Sequence, residues 1–264
     1  MNEVNKTLYI PLYGKAYVSK KGIILCDTKA EEIWDKEGFD LKGKSKSKWL
    51  AYYMGMRSAV FDDWLKEQMQ KDEHAIVVHI GCGMDSRVLR VGTDHHLWYD
   101  VDFPDVINER KLYYSETEDY SMLLSDVRNV DWLNDIPSNA NAIVVMEGVS
   151  MYLQVEELQN TLGAIAKHFN KVSLLMDCYT EFGAAASKYK NPINEVGVTR
   201  VVGIDDPQVC EENTNLSYVG EHDMTPESMI NELKGLEKNF FQFMFGGRIS
   251  KKMYRLYEYE TANI

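Results

Sequence analysis

The run Ala75-Ile-Val-Val-His-Ile80 passes directly into Gly81-Cys82-Gly83. Six residues, mostly apolar and β-branched, are too few for a buried helix and read as a strand covered on both faces. Glycines at its end permit a turn that side chains would block. They also let the main chain approach a ligand at the start of the next helix. A strand, a glycine turn and a helix in that order point to an open, mostly parallel α/β sheet, whose ligands sit beyond the carboxyl ends of the strands.

The rest of the chain keeps that rhythm. Leu97–Asp102 reads as a second strand, and Pro104 opens a helix predicted to run to Tyr114. Tyr120–Val127, Ala142–Glu147 and Val172–Asp177 read as three more strands. Leu158, Leu162, Ile165 and Phe169 mark an amphipathic helix before the last of them. Upstream, residues 28–37 look helical, and Trp49, Tyr52, Tyr53, Met56, Val60, Trp64 and Leu65 form one stripe of a helix over 47–71. Residues 1–26 read as an irregular arm. The polar stretch 180–235 breaks the alternation and reads as loop or short helix. Within it, Thr225-Pro226-Glu227 suggests an N-cap, a first-turn proline and an acidic first turn. Phe240–Phe245 and Met253–Tyr259 read as two strands around Gly246-Gly247.

These elements predict one domain built on a doubly wound, mostly parallel seven-stranded α/β sheet. Residues 1–73 would form an arm and helical cap, 74–179 the ligand-binding core, 180–235 a variable lid, and 236–264 an antiparallel hairpin.

The net charge of −12 argues against a nucleic-acid partner, because phosphate contacts require a basic face. Lys42, Lys44, Lys46 and Lys48 are the one basic cluster, and read as a solvated linker before a helix. No apolar run approaches the length of a membrane span, and no leader is evident after Met1, so no membrane partner is expected. Cys26, Cys82, Cys178 and Cys210 are dispersed and contain no C-x-x-C pair. This indicates neither a metal site nor a disulfide framework, and fits a reducing cytoplasm.

Three acidic residues fall at strand ends beside the glycine turn. Asp102 lies 19 residues after Gly83, where nucleotide-binding α/β sheets place a carboxylate on ribose hydroxyls. Asp126, followed by Val127, ends the third strand, where it could accept from an adenine amino group. Glu147 ends the fourth. A full dinucleotide fingerprint wants a third glycine at 86, where this chain has Ser86.

Val78-His-Ile-Gly-Cys-Gly-Met-Asp-Ser-Arg87, Tyr99-Asp-Val-Asp-Phe-Pro104 and Met146-Glu-Gly-Val-Ser-Met-Tyr-Leu153 resemble the signature blocks of the leucine carboxyl methyltransferase superfamily. Ile10-Pro-Leu-Tyr-Gly-Lys-Ala16 and Arg57 are similar to its bacterial polyketide O-methyltransferase branch of the tetracenomycin type. The resemblance runs from about Leu8 to about Asp206 and is poor over 180–235. It implies S-adenosylmethionine as cofactor and a small-molecule methyl acceptor. It also implies a map: Arg57 on the methionine carboxylate, Gly81 and Gly83 as the floor with Gly81 under the methionine, Asp102 on the ribose, Asp126 and Val127 at the adenine, and Glu147 near the methionine end. Lys15 matches a basic residue that reaches the cofactor in the family.

The fourth strand lacks the Asn/Asp-Pro-Pro-Tyr turn frequent in amino-group methyltransferases, which favours an oxygen acceptor. A carboxylate needs no base, whereas a phenol benefits from one. Tyr152 and Tyr179 follow core strands at the ligand edge, and Tyr152 is the one candidate for a catalytic role. His168 and His222 read as structural. Two rivals stand beside this reading. One is a nicotinamide-dependent oxidoreductase, disfavoured by Ser86 and the expected hairpin. The other is a non-catalytic binding protein that kept the fold.

Overall fold

The computed structural model describes residues 8–39, 41, 43–187 and 201–262. Lys42, part of the basic cluster, and residues 188–200 of the variable segment lie outside them. Three helices come first: α1 (Tyr9–Lys20), α2 (Thr28–Glu37) and α3 (Lys48–Lys71). The sheet then builds from β1 (Ile76–Ile80), β2 (Trp98–Asp102), β3 (Tyr120–Leu124), β4 (Asn141–Met146) and β5 (Lys171–Tyr179). Their connections carry α4 (Arg87–Val91), α5 (Pro104–Arg110) and α6 (Val155–His168). After α7 (Glu181–Ser187) come β6 (Leu216–His222), α8 (Glu227–Ile230), α9 (Gly235–Phe245), α10 (Gly247–Met253) and β7 (Tyr254–Thr261).

The spatial order is β3-β2-β1-β4-β5-β7-β6. The first five strands pair in parallel, while β7 is antiparallel to both β5 and β6. The order reverses between β1 and β4, so the carboxyl ends of those two strands open a crevice. Alternation along β1 separates the two faces. Val77 joins the core under α3, with Leu65 and Trp98. Ile76, Val78 and Ile80 join the other core with Leu158, Leu162 and Ile165 of α6. Both faces of the sheet carry an apolar core, which suits a parallel sheet covered on both sides.

Four expectations need correction. The N-terminal arm is not irregular, because Tyr9–Lys20 is α-helical. Pro11 falls in its first turn, where a missing N–H costs nothing. Gly14 and Gly55 let α1 and α3 touch: a Cβ would come within 2.7 Å of Met54 Cβ at the first and 2.8 Å of Val18 Cγ2 at the second. Packing of Leu12, Ala16 and Val18 overrides the weak local propensity.

Phe240–Phe245 is not a strand but the end of α9. Six aromatic-rich residues satisfy either period, and burial of Phe241 beside Tyr52 decides for the helix. The antiparallel partner of β7 is therefore Leu216–His222, inside the segment expected to be loop. It is a polar edge strand with a register shift between Tyr218 and Gly220, so its alternation is faint in the sequence. Thr225 does not cap α8; Pro226 takes that position, and Thr225 Oγ1 donates to the Phe245 carbonyl at 3.2 Å. Two boundaries also shorten. α5 ends at Arg110 rather than Tyr114, and β3 at Leu124 rather than Val127.

Candidate active site

A cavity of about 900 Å³ occupies the crevice at the ends of β1, β2 and β4, roofed by α1, α3, α9 and α10. Every residue proposed from the sequence lines it: Lys15, Arg57, Gly81, Gly83, Asp102, Asp126, Val127, Glu147 and Tyr152. Tyr179 lines it too. They do so from seven separate stretches of chain.

The glycine turn is the floor. Gly81 and Gly83 have φ of +66° and +51°, a region that L side chains enter only with strain. A Cβ on Gly81 would lie 2.1 Å from Val149 Cγ2. Asp102 fixes the turn from β2: its Oδ2 accepts from the Gly83 N–H at 2.7 Å, and its Oδ1 from the Phe103 N–H at 2.7 Å. Arg110 of α5 holds the other side, donating from Nη1 to the carbonyls of Gly83 and Asp85 at 3.0 and 2.6 Å. Burial raises the Asp102 carboxyl to about 6, although both backbone donors and Arg110 oppose this.

Beneath the turn lies a buried ionic lattice. Arg57 Nε donates to Glu147 Oε1 at 2.9 Å, and its Nη1 to Asp177 Oδ2 at 2.9 Å and Tyr254 Oη at 3.3 Å. The second Glu147 oxygen takes Nη2 of Arg87. Arg87 Nε reaches Asp62 at 2.7 Å, and Arg90 joins Asp62, Asp27 and Asp85, each at 2.7 Å. Lys15 Nζ completes the lattice 3.0 Å from Asp85. Burial would raise the Glu147 carboxyl, but Arg57 and Arg87 outweigh it and hold the group at about 2. For Asp177 burial wins over Arg57, and its carboxyl is raised. Asp177 Oδ1 also accepts from the Gly148 N–H at 2.6 Å, which ties the turn after β4 to β5.

His79 lies under the same floor. Burial lowers its pKa, and its Nε2 accepts from Arg87 Nη1 at 3.0 Å. Asp100, one strand over, takes Trp98 Nε1 at 2.9 Å, Tyr120 Oη at 2.6 Å and Arg110.

The adenine-side candidates differ in kind. Asp126 is not at a strand end but two residues past β3, in a loop. Its carboxylate forms a half-exposed fork with Arg128 Nε at 2.9 and 3.1 Å, which lowers its pKa. The Val127 carbonyl accepts weakly from Trp132 Nε1 and Thr161 Oγ1, at 3.5 and 3.4 Å. Tyr152 ends a 3₁₀ turn after β4. His168 Nε2 donates to the Ile136 carbonyl at 2.9 Å, and His222 pairs with Glu258 at 2.6 Å; neither lines the cavity.

The sequence reading missed Asp177, Asp62, Arg87 and Arg90 as partners. One signal was available: charges at Arg57 and Asp62 interrupt the buried apolar run of α3, and Arg87 follows the glycine turn where a solvated residue has no need to be. Buried charges require partners, so unpaired ones in apolar elements announce a lattice.

A profile of the leucine carboxyl methyltransferase family matches residues 11–166, more than half of the chain. The tetracenomycin polyketide synthesis O-methyltransferase of Streptomyces glaucescens is 27% identical over 238 residues, covering 89% of this chain and 88% of that one. An S-adenosyl-L-methionine-dependent methyltransferase of Gibberella zeae is 26% identical over 229 residues, covering 78% and 77%. In fold, the chain is similar to a candidate methyltransferase from Thermobifida fusca, with a TM-score of 0.60 at 12% identity over 95% and 94% of the two chains. It is also similar to the magnesium protoporphyrin IX methyltransferase of Synechocystis solved with S-adenosylhomocysteine, with a TM-score of 0.52 at 13% identity over 89% and 100%. The chain belongs to the leucine carboxyl methyltransferase family and is an S-adenosylmethionine-dependent methyltransferase.

Proposed function

We propose that this enzyme methylates an oxygen of a small, largely apolar molecule, and that the oxygen belongs to a carboxylate. One observation carries the choice of atom. Beyond the ionic lattice the cavity is lined by Trp49, Leu50, Tyr53, Tyr179, Met253 and Tyr254. Burial raises the phenols of Tyr53 and Tyr254, so at neutral pH both stay protonated. Glu147 is ionised but bound by two arginines. Neither of these phenols, nor Glu147 between its two arginines, is set to take a proton near pH 7. An acceptor that is already an anion needs no base.

When bound, S-adenosylmethionine supplies a methyl group already activated on a sulfonium sulfur, so the protein's task is orientation and exclusion of water. The residues fit that group. Gly148, at φ +75°, keeps the space over the Arg57 guanidinium open, since a side chain there would begin 3.6 Å from Nη2. We assign Arg57 to the methionine carboxylate, with Glu147 and Asp177 holding its orientation. Asp102 has lone pairs left to accept from ribose hydroxyls. Asp126 and the Val127 main chain address the adenine edge. Lys15 acts from the side of Asp85, and Tyr152 touches the acceptor. The proposed location is a reducing cytoplasm, on the dispersed cysteines of the sequence.

The test is a methyl-transfer screen with aromatic carboxylic acids, phenols and amines, scored by S-adenosylhomocysteine release. Carboxylic acids are expected to turn over and to yield products that release methanol in mild alkali, as esters do and aryl ethers do not. Turnover of phenols alone would overturn the carboxylate; turnover of amines alone would overturn oxygen.

Asp102 gives a pH test of the map. Its raised pKa means that the empty protein gains stability from this group at low pH and loses it as pH rises through about 6. Ribose hydroxyls favour the ionised form, so S-adenosylhomocysteine affinity should run the other way, weakening about tenfold per pH unit below 6. Thermal melts across pH check the first, and titration calorimetry of wild type and Asp102→Ala checks the second. The variant is expected to bind roughly 10- to 100-fold more weakly at pH 7.5 and to lose the pH dependence. Wild-type affinity in the variant would remove Asp102 from the site.

A further inference from the structure

α9 carries apolar side chains on two sides. Phe241 is wholly buried against Tyr52, and Phe245 faces Tyr53 with ring centroids 6.3 Å apart. Leu236, Phe240 and Phe243, spaced i, i+4, i+7, form a second stripe that is 85%, 44% and 73% exposed. Met244 and Ile249 continue it to the cavity, which both line. Phe240 also rests against Trp49, with ring centroids 4.5 Å apart, but Leu236 and Phe243 stay largely uncovered, and a contiguous exposed apolar patch marks an interaction surface. The stripe also concentrates the surface apolarity: of the eleven large apolar side chains exposed among the described residues, five lie between 236 and 249.

The charge around the stripe is opposite to that of the rest of the molecule. Between residues 234 and 253 stand Lys234, Lys238, Arg248, Lys251 and Lys252 against Glu237 alone, in a chain of net charge −12. Glu237 is engaged by Lys48 at 2.7 Å and by Tyr52. Lys251 is engaged by Glu221 at 3.5 Å. Lys234, Arg248 and Lys252 are exposed. A second copy of the chain would bring two such basic surfaces together, which like-charge repulsion opposes.

We propose that α9 and α10 form a surface that seats on an anionic lipid bilayer. Leu236, Phe240 and Phe243 enter the headgroup–acyl boundary, and the flanking lysines and arginine meet lipid phosphates. This is the pattern of an interfacial helix, apolar on one face and ringed by cations. The expectation of no membrane partner rested on the length of apolar runs. No helix among the described residues is long and apolar enough to cross a membrane, but a helix lying in the interface needs no such length. Because Met244 and Ile249 belong both to the stripe and to the cavity wall, the seated enzyme would open its cavity toward the bilayer, and a lipophilic acceptor could enter without crossing water. The surface itself does not depend on which oxygen is methylated.

Vesicle flotation of the full chain tests the proposal. Binding is expected to vesicles of phosphatidylcholine with phosphatidylglycerol, to be weaker on phosphatidylcholine alone, and to fall with added salt. The double variant Leu236→Ser, Phe243→Ser should reduce partitioning at least about tenfold. Its S-adenosylhomocysteine affinity and melting temperature should match wild type, since neither residue lines the cavity and both are exposed. Three results would overturn the proposal: no binding, equal binding to neutral and anionic vesicles, or binding unchanged in the variant. So would sedimentation showing that the stripe instead joins two copies, with the variant monomeric and no lipid bound by the wild type.

Discussion

Arg57→Ala is expected to melt roughly 10 °C below wild type at pH 8 and to show no measurable S-adenosylhomocysteine binding. Arg57 is buried between Glu147 and Asp177 and bonds to both. Its removal strands charge rather than merely deleting a contact, which costs about 3–5 kcal/mol. The two carboxylates do not suffer equally. Glu147 keeps Arg87, but Asp177 is left with the Gly148 N–H and the Tyr254 hydroxyl, at 2.6 and 3.0 Å. The Asp177 carboxyl is already raised by burial, and without Arg57 it must rise further. A carboxyl raised in the folded state adds stability below its unfolded pKa and loses it as pH climbs through the folded value. The variant should therefore recover stability relative to wild type between pH 8 and pH 5. Adding Asp177→Asn should restore much of the loss at pH 8 while binding stays absent. Thermal melts at the two pH values, with calorimetric titration of ligand, check each part. A variant destabilised equally at both pH values would show that Asp177 is not the group left stranded.

Gly81→Ala is the second large effect. The substitution forces alanine to φ +66° and sets its Cβ 2.1 Å from Val149 Cγ2. The dihedral alone costs on the order of 1–3 kcal/mol. The clash requires Val149 or the turn to move, and Val149 follows Gly148, the residue that leaves Arg57 uncovered. Floor and clamp should thus be displaced together, with ligand affinity falling by more than roughly 100-fold. Val149→Ala in the same chain should recover part of the stability, because it removes the clash, but not all of it, because the dihedral strain persists. Wild-type affinity in Gly81→Ala would mean that the turn does not form the floor.

Much of this site was legible in the sequence because it depends on local chemistry. The glycine turn after β1 and the acidic residue ending β2 are short-range signals, and parallel strands bring their ends together by topology alone. Arg57 was legible only by resemblance, since a lone arginine on a helix says nothing of what lies across from it. Its partner Asp177 stands 120 residues away in sequence, and no spacing rule connects the two. The lattice through Arg87, Asp62 and Arg90 was hidden for the same reason. The error at Phe240–Phe245 has a different cause. Six aromatic-rich residues fit two periods, and only the burial of Phe241 separates them. Read as a strand, that segment splits its phenylalanines between two faces. Read as a helix, it gathers Leu236, Phe240 and Phe243 into one exposed stripe, so the surface property vanished along with the element.

The sequence by itself determined the class of sheet, the succession of its parallel strands along the chain and the glycine turn that lines the cavity, because each follows from period and glycine placement. It also determined the family. Only the tertiary structure decided which charges are buried, how Arg57 is held, and where the edge strand Leu216–His222 and the helix α9 belong. Those outcomes turn on desolvation and packing between segments far apart in the chain, and both are properties of the folded interior rather than of any stretch of residues.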